Sequence, residues 1–328
     1  MPIQQMLVGI GKGEVFAEAT GGTVTTVGDY KVHAFTSSGT FTVTQLADTN
    51  EFETLVVAGG GGPGMTFAAG GGGGGGIVNH QTGQALTAAA YTVTVGAGGS
   101  GASGYNLNWP NTRDGNVGSD SSIKLASNNS IIQEADISDI QSMSGITVSQ
   151  PQANNKASWS SHAHFVGGNS AKVVNGTTTQ YVGGGGYHST GYAGGGAGAG
   201  ENGIGPHSTT DNTQSNTPSW ATGGSYSAGG NGGDGYATTM VTGSTTYYGG
   251  GGGAGTHANG ASNVCGYNAP GGQGGGGTGA NGHCSASTNG TANTGGGGGG
   301  GHSNTFGLNY YASGNGGSGV VYIKYKYQ

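Results

Sequence analysis

Residues 40–44 alternate strictly between polar and apolar side chains, with Phe41 and Val43 on one face and threonines on the other. This period of two is typical of a half-buried β-strand. Residues 30–36 also have the composition of a strand, and Ser37, Ser38 and Gly39 between the two segments are turn formers. The pattern therefore predicts a β-hairpin whose strands cover residues 30–36 and 40–44.

Three further segments have the apolar runs or alternation of strands: residues 53–58, 91–95 and 320–327. The last of them places Val321 and Ile323 on one face. Because strands occur towards both ends of the sequence, we expect them to form a small β-sheet or sandwich. Only residues 131–140 show some helical spacing, so the expected fold class is all-β with almost no helix.

Glycine dominates the sequence between the strands and makes up 80 of the 328 residues. The longest runs, 70–76 and 295–301, each contain seven glycines. A helix loses about 1 kcal/mol at each glycine, and a strand gains no side-chain packing from one. Glycine suits polyproline II geometry, in which three residues make a turn and each N–H and C=O points outward. We therefore predict a bundle of glycine-rich polyproline II (polyglycine II) strands with long loops, joined to the sheet.

Composition divides the chain into four predicted regions. Residues 1–28 are an N-terminal attachment segment or a first strand, and residues 29–102 hold the sheet and the first glycine tracts. Residues 103–165 are a less glycine-rich inserted loop region, and residues 166–328 hold the bundle and a closing C-terminal strand. In this last region tracts begin about every 20–24 residues, which indicates a repeating unit of strand and loop.

The charge of the chain argues against several classes of partner. The net charge is −6, and the eight lysines and arginines are scattered, so we expect no binding of nucleic acid. No apolar run approaches membrane-spanning length, and residues 1–8 lack the pattern of a signal peptide, so we expect no membrane insertion. Only 7% of residues are charged and 16 are tyrosine, which is unlike a disordered linker.

The chemical motifs predict neither an enzyme nor a bound cofactor. Gly59, Gly61 and Gly64 imitate a dinucleotide-binding fingerprint, but no helical pattern or suitably spaced acidic residue follows them. His162 and His164 would share one face of a strand. Solvated or hydrogen-bonded histidines are the ordinary interpretation, and a transition-metal site in a trimer is the alternative.

Cys265 and Cys284 are the two cysteines of the sequence. A disulfide between them would close a loop of about 20 residues and contribute on the order of 3 kcal/mol. Whether this bond forms or both thiols stay free is left open by the spacing.

Aromatic residues in the segments between the tracts are the predicted receptor-binding residues. Rigid aromatic rings beside Asn, Ser and Thr make good recognition surfaces, because they offer contact area at low entropic cost. The alternative is that some of them pack along the side of the bundle. The predicted residues are Tyr187, His188, Tyr192, Trp220, Tyr226, Tyr247, Tyr248, Tyr267, Phe306, Tyr310 and Tyr311.

Four segments combine these strands with glycine: YKVHAFTSSGTFTV at 30–43, LVVAGGGG at 55–62, YTVTVGAGG at 91–99 and GVVYIKY at 319–325. Together with the opening MPIQQML, they resemble the glycine-rich domain of tailed-phage virion proteins. The long tracts are also similar to those of the tail-tip adhesins of T-even-type phages. In those adhesins a polyproline II glycine bundle presents variable loops to the host surface.

The resemblance implies a non-enzymatic, β-rich protein located in the virion. We expect a tail-fibre or tail-tip adhesin whose aromatic loops bind a host surface glycan or an outer-membrane protein. Its N-terminal region would bind other virion proteins, and a homo-oligomer is left open. One alternative is a head decoration or other virion accessory protein without receptor binding. A second alternative is an ice-binding protein, since such bundles can present flat faces.

Overall fold

The computed structural model describes residues 13–64, 70–103, 115–136, 158–159, 165–184, 193–205, 229–256, 268–281, 284–303 and 310–328. These residues form strands and extended segments and no helix, as the all-β prediction required. The strands are β1 (Glu18–Thr20), β2 (Thr23–Val27), β3 (Tyr30–Phe35), β4 (Gly39–Gln45), β5 (Phe52–Val57), β6 (Val78–Gln84), β7 (Ala90–Thr94), β8 (Ser121–Leu125), β9 (Ile131–Ala135), β10 (Ser158–Trp159), β11 (Phe165–Val166), β12 (Ser170–Val174), β13 (Thr177–Tyr181), β14 (Tyr236–Thr238), β15 (Thr246–Tyr248), β16 (His302–Ser303), β17 (Tyr310–Tyr311) and β18 (Val320–Lys326).

The larger sheet has β18 near its centre. Its seven strands lie in the order β13-β12-β6-β5-β18-β3-β2, and all neighbours are antiparallel except β12 and β6. Val321 of β18 lies opposite Phe35 of β3 on one side and opposite Val56 of β5 on the other. Strands distant in the sequence therefore meet in one sheet. The strands predicted over residues 30–36, 53–58 and 320–327 are confirmed.

The smaller sheet packs on one face of the larger sheet to form a β-sandwich. Its five strands lie in the order β1-β4-β7-β8-β9. Phe41 and Val43 of β4 are 0% and 2% exposed, as their alternation predicted. Val321 and Ile323 of the larger sheet enter the same core. Burial of these apolar side chains between two sheets provides the conventional hydrophobic core of the protein.

The hairpin predicted over residues 30–36 and 40–44 is wrong. The strand β3 pairs with β2 and β18 in the larger sheet, whereas β4 pairs with β1 and β7 in the smaller sheet. The chain therefore crosses between the sheets after Phe35, whose ring faces that of Phe41 across the core at 6.4 Å. Alternation identifies the buried face of each strand, but a hairpin and a crossing between sheets both bury that face.

Two strands of the smaller sheet lie within the region predicted as an inserted loop, residues 103–165. These are β8 and β9, and β9 is a strand although its sequence showed some helical spacing. The rest of that region lies in part outside the described residues. Within residues 1–28, β1 joins the smaller sheet and β2 the larger sheet, and residues 1–12 lie outside the described part.

The hairpin of β14 and β15 covers the outer face of the larger sheet. The ring of Tyr248 on β15 lies 5.7 Å from that of Tyr322 on β18. Met240, just after β14, is 2% exposed and packs in the same cluster as Leu55 and Val57 of β5. Both faces of the larger sheet are therefore covered around β5 and β18.

A polar cluster joins this hairpin to the larger sheet. The Tyr236 hydroxyl lies 2.8 Å from His80 Nδ1, and His80 Nε2 lies 2.9 Å from Glu53 Oε1. The Lys324 ammonium donates to Glu53 Oε2 at 2.9 Å. The hydrogen bond from His80 is the main cause that lowers the pKa of Glu53. Burial acts in the opposite direction, and Lys324 lowers this pKa further.

The glycine tracts form a bundle of polyproline II segments that continues from the sandwich. Its organisation is clearest around residues 249–256, which six described segments surround. From Gly250 to Thr256, residues three apart donate to the same neighbour, and the three residues of one turn donate to three different neighbours. Three residues per turn require this pattern. The donor–acceptor pairs are Gly250–Gly274, Gly253–Gly277 and Thr256–Ala280; Gly251–Gly233 and Ala254–Gly230; and Gly252–Gly73 and Gly255–Gly70.

Three further neighbours donate to the carbonyl groups of the same tract. Each such bond contributes a net ~0.5–1.5 kcal/mol, which helps to offset the entropy lost when glycine is ordered. The tract 295–301 belongs to this lattice, and Gly295, with a φ of 70°, turns the chain into it. The predicted polyproline II bundle is therefore confirmed. The donor–acceptor pairs are Gly297–Gly250 and Gly300–Gly253; Ala199–Gly249 and Gly196–Gly252; and Gly272–Gly251.

The close approach of neighbouring backbones explains why these positions are glycine. An ideal Cβ at Gly252 would lie 1.9 Å from the carbonyl oxygen of Gly298, and one at Gly73 would lie 2.1 Å from that of Gly61. Real Cβ atoms essentially never come within 3.0 Å of such a neighbour. Neither Gly252 nor Gly73 has a left-handed φ. Lack of space, and not an unusual backbone conformation, therefore excludes other residues.

Candidate functional site

The tracts join the sandwich at one end of the bundle. The strand β5 continues directly into the tract segment 58–64, whereas β6 and β18 are preceded by the tract segments 70–77 and 313–319. Because these segments are hydrogen-bonded side by side, their other ends must meet away from the sandwich. We call this the far end of the bundle.

Direct hydrogen bonds hold the far end together. The amide of Gly70 donates to the Gly301 carbonyl at 3.0 Å, and the amide of Gly255 donates to the Gly70 carbonyl at 2.8 Å. The Ser313 hydroxyl accepts the amide of Gly301 at 3.0 Å and lies 3.3 Å from the Gly64 carbonyl oxygen. Tract segments that lie far apart in the sequence, between Gly64 and Ser313, thus converge on one small area.

Several chain segments leave and re-enter the bundle at the far end. The residues that flank them are tract residues or, next to Gly301, the short hairpin of β16 and β17. The far end is therefore where six of the segments between tracts are attached, and it is the candidate functional site. The attached segments, which lie outside the described residues, are 65–69, 104–114, 185–192, 206–228, 257–267 and 304–309.

Most of the predicted receptor-binding residues belong to these attached segments and lie outside the described residues. Tyr310 and Tyr311 are described as β17, which pairs with His302 and Ser303 at the far end. The half-buried Tyr311 is therefore placed beside the attachment points. The predicted residues outside the described part are Tyr187, His188, Tyr192, Trp220, Tyr226, Tyr267 and Phe306.

Tyr247 and Tyr248 lie elsewhere, on the hairpin that covers the sandwich. Tyr248 is 4% exposed, and its burial is the main cause that raises its pKa well above the usual range of tyrosine. Tyr247 is half-buried and lies opposite Ala237 in the same hairpin. The structure therefore does not bring these two tyrosines together with the far end.

Most of the cysteines and histidines singled out in the sequence lie outside the described residues. Cys284 is disulfide-bonded, and Cys265 lies outside the described residues. His162 and His164 also lie outside them. Among the described residues, no group of three or more His, Cys, Asp or Glu side chains is placed to hold a metal ion.

The glycines that imitate a dinucleotide fingerprint belong to the bundle. The amide of Gly59 donates to the Ser119 carbonyl at 2.9 Å, and the amide of Gly61 donates to the Gly74 carbonyl at 2.8 Å. A phosphate-binding loop needs amides that point at the ligand. These two amides already donate to carbonyl groups within the protein, so this stretch is part of the hydrogen-bonded bundle.

Side chains that cap the outermost amides of the bundle were not predicted from the sequence. A tract at the surface has N–H groups that no neighbouring tract can accept, and such groups need another partner. Asn315 Oδ1 accepts the amide of Gly101 at 3.0 Å, and Asn289 Oδ1 accepts the amide of Asn315 at 2.8 Å. Thr288 Oγ1 accepts the amide of Thr278 at 2.8 Å. These polar side chains on the outer tracts therefore stabilise the bundle by accepting hydrogen bonds from its outermost amides.

A family model for a glycine-rich domain matches residues 36–326 of the chain. The chain belongs to this glycine-rich domain family. The match begins after β3 and reaches into β18, so it covers the bundle and most of the sandwich. No curated protein and no solved structure matches the chain significantly.

The described part of this family member contains no helix that is long and apolar enough to cross a membrane. Its charged side chains are few, and the ion pairs that the structure shows lie on the sandwich, such as Lys324 with Glu53 and Lys124 with Glu134. The far end is instead built from backbone and small polar side chains. It is suited to holding loops in fixed positions.

Proposed function

We propose that this glycine-rich protein is a non-enzymatic virion protein of a tailed phage, a tail-fibre or tail-tip adhesin that binds the host surface. The observation that carries the proposal is the convergence of the attached segments on the far end of the bundle. Loops mounted on a rigid scaffold are where binding residues concentrate in many proteins. The opposite end of the bundle continues into the sandwich through β5, β6 and β18.

The chemistry of the attached segments favours recognition of a neutral, hydroxyl-rich surface. They contain Trp220, Tyr226 and Tyr267 among many Asn, Ser and Thr residues and few charges. Aromatic rings stack on sugars and order at low entropic cost, and the neighbouring amides and hydroxyls supply hydrogen bonds. A host surface glycan, or an outer-membrane protein with a polar surface, fits this composition.

Because the lattice consists of backbone hydrogen bonds, the attached segments can change without disturbing it. An adhesin needs this independence when its receptor changes. Other virion proteins would bind through the N-terminal region, at the sandwich end. The alternative, a decoration protein without receptor binding, makes no use of the aromatic residues at the far end.

The test is adsorption of phage particles that carry Trp220→Ala, Tyr226→Ala and Tyr267→Ala together. One recognition residue of this kind contributes about 2 kcal/mol or more, so we expect adsorption to host cells to fall at least tenfold. The melting temperature of the purified protein should stay within about 2 °C of the parent.

The matched control is Tyr247→Ala, which removes a half-buried tyrosine from the hairpin on the sandwich. Particles with this change should adsorb at the parental rate. If the triple variant also adsorbs at the parental rate with unchanged melting, the adhesin proposal fails and a decoration role takes its place.

A further inference from the structure

His33 is a buried histidine in the core of the sandwich, away from the far end. It lies on β3 and is 0% exposed. Its ring stacks on that of Tyr325 on β18, with centroids 5.5 Å apart, and meets the edge of Phe41 on β4 at 5.1 Å. The family match begins after this residue, so His33 is a feature of this chain beyond the matched region.

The hydrogen bonds of His33 define one neutral tautomer. Its Nδ1 lies 2.7 Å from the Gly21 carbonyl oxygen, which can only accept, so Nδ1 carries the hydrogen. Its Nε2 lies 3.1 Å from the Tyr325 hydroxyl and must therefore accept from it. The Tyr325 oxygen in turn accepts the amide of Ala19 at 3.1 Å. Every polar group in this chain of bonds has a partner.

These bonds hold the segment that crosses from the smaller sheet to the larger one. Residues 18–20 form β1 in the smaller sheet, and β2 in the larger sheet starts at residue 23. The crossing lies against β4, because a Cβ at Gly21 would lie 2.1 Å from the Thr40 carbonyl oxygen. Gly21 has a φ of 113°, which favours glycine. His33 and Tyr325 thus bond the crossing at two points, Gly21 and Ala19.

Protonation of His33 is incompatible with this arrangement. A hydrogen on Nε2 would clash with the hydroxyl hydrogen of Tyr325. That hydroxyl would have to rotate and would lose its hydrogen bond to His33 Nε2, its one acceptor among the described residues. A buried donor without a partner is costly, and so is an imidazolium among aromatic rings.

Among the described residues, no carboxylate bonds to the His33 ring, whose two nitrogens face the Gly21 carbonyl and the Tyr325 hydroxyl, so no ion pair stabilises that charge. Phe41 faces it from β4 and Tyr325 from β18, and the nearby Lys31 on its own strand repels a positive charge. Burial is the main cause that raises the pKa of Tyr325, and the charge of Glu18 on β1 raises it further. Burial is the main cause that lowers the pKa of His33, the Gly21 hydrogen bond opposes it, and Lys31 lowers it further.

We propose that His33 is an acid-sensitive clamp whose protonation releases residues 18–22 from the sandwich while the larger sheet and the bundle stay folded. In the released state His33 contacts water and regains its ordinary pKa near 6.5. The proton therefore binds the released state more tightly than the closed state. Release is favoured as the pH falls below about 6.5 and levels off once the pH is below the lowered pKa of the closed state.

Local release is less costly than global unfolding. The strand β1 has only three residues, and its pairing with β4 shifts register between Glu18 and Ala19. Short elements with little buried surface open before the core does. The pairing of β2 with β3 is regular along five residues and remains in place.

Hydrogen exchange of the full-length protein, measured by mass spectrometry between pH 7.5 and pH 5 and corrected for the intrinsic rate, tests the clamp. The opening constant of residues 18–22 should rise with acid by up to tenfold per pH unit, the limit for one proton. The exchange of β18 should not change. In His33→Asn, whose amide can still donate to Gly21, the opening of residues 18–22 should be independent of pH. His80→Asn is the matched control and should behave as the parent does.

A second measurement on the parent protein does not depend on the folding of a variant. An NMR titration should show His33 with a midpoint below 6.5, and the protection of the Ala19 amide should fall between pH 6.5 and that midpoint. The proposal is overturned if His33 titrates at or above 6.5. It is equally overturned if residues 18–22 exchange independently of pH, or if His33→Asn keeps the same acid response.

Discussion

Gly252→Ala is the sharpest test of the bundle, because it adds one methyl group at the centre of the lattice. The new Cβ would lie 1.9 Å from the carbonyl oxygen of Gly298, more than 1 Å inside the closest contact that real Cβ atoms make. The obstacle is backbone, which cannot rotate away as a side chain can. The tracts that contain Gly252 and Gly298 must therefore separate.

Separation by this distance breaks the bonds on both sides of the substituted residue. Gly252 donates to the Gly73 carbonyl and accepts from the Gly196 amide, both at 2.8 Å, and Gly73 donates to Gly298 at 2.9 Å. A buried backbone group left without a partner costs about 1–3 kcal/mol. Three such bonds give a loss of about 3–9 kcal/mol, a large part of the 5–15 kcal/mol that stabilises a typical protein.

Thermal unfolding, measured by calorimetry or circular dichroism, is the assay. At roughly 2 °C per kcal/mol for a large domain, we expect a fall in melting temperature of about 6–18 °C or insoluble protein. The control is Gly13→Ala, where nothing lies within 4 Å of the added Cβ. It should be neutral or stabilise by up to about 1 kcal/mol, because alanine restricts the unfolded chain. A Gly252→Ala protein that melts with the control would refute close backbone packing as the reason for glycine.

Two further predictions concern the sandwich. Deletion of residues 320–328 should give insoluble protein, because it removes β18 from between β3 and β5, and soluble folded protein in a sedimentation assay would contradict the sheet order. Glu53→Gln should destabilise the protein by about 1.5–3 kcal/mol near neutral pH, the range for hydrogen bonds to charged groups. Since the folded pKa of Glu53 is lowered, its contribution is present above about pH 4.5 and is lost as the pH falls through the folded value. Denaturant unfolding at pH 7 and pH 3 should therefore show a smaller difference between variant and parent in acid.

The sequence predicts the parts of this fold that depend on local pattern. Alternation identified the buried faces of β4 and β18, because a strand half-buried in a sandwich must place apolar residues at every second position. Glycine runs identified the bundle, because no other backbone geometry uses them to advantage. Both signals are contained within a few consecutive residues.

The sequence does not determine which distant segments become neighbours. The crossing between β3 and β4 was predicted as a hairpin, since turn-forming residues suit both connections. Gln133 on β9 donates to the carbonyl oxygen of Asn79 on β6 at 2.8 Å, which is a buried contact between the two sheets. The residues next to Gln133 and Asn79 in the sequence give no sign of this contact. The capping roles of Asn289 and Asn315 depend in the same way on tracts far apart in the chain.

For the far end, the sequence indicated the type of residue but not its location. Tyr247 and Tyr248 looked like the other aromatic residues between tracts, yet the chain turns back there at the sandwich and not at the far end. The direction in which a tract runs decides to which end its flanking loop belongs. That direction depends on the path of the whole chain, so the composition of a tract does not reveal it.

Because a tract has three residues per turn, the directions of its backbone amides repeat every three residues. Each position from Gly250 to Thr256 sends its amide to one of three neighbours, and the assignment repeats at every third residue. Insertion or loss of one glycine would turn all later amides of the tract towards the wrong neighbour. Insertion or loss of three would restore the directions and change only the length. Tracts of this kind should therefore vary in length by steps of three during evolution, while the segments attached at the far end can gain or lose single residues.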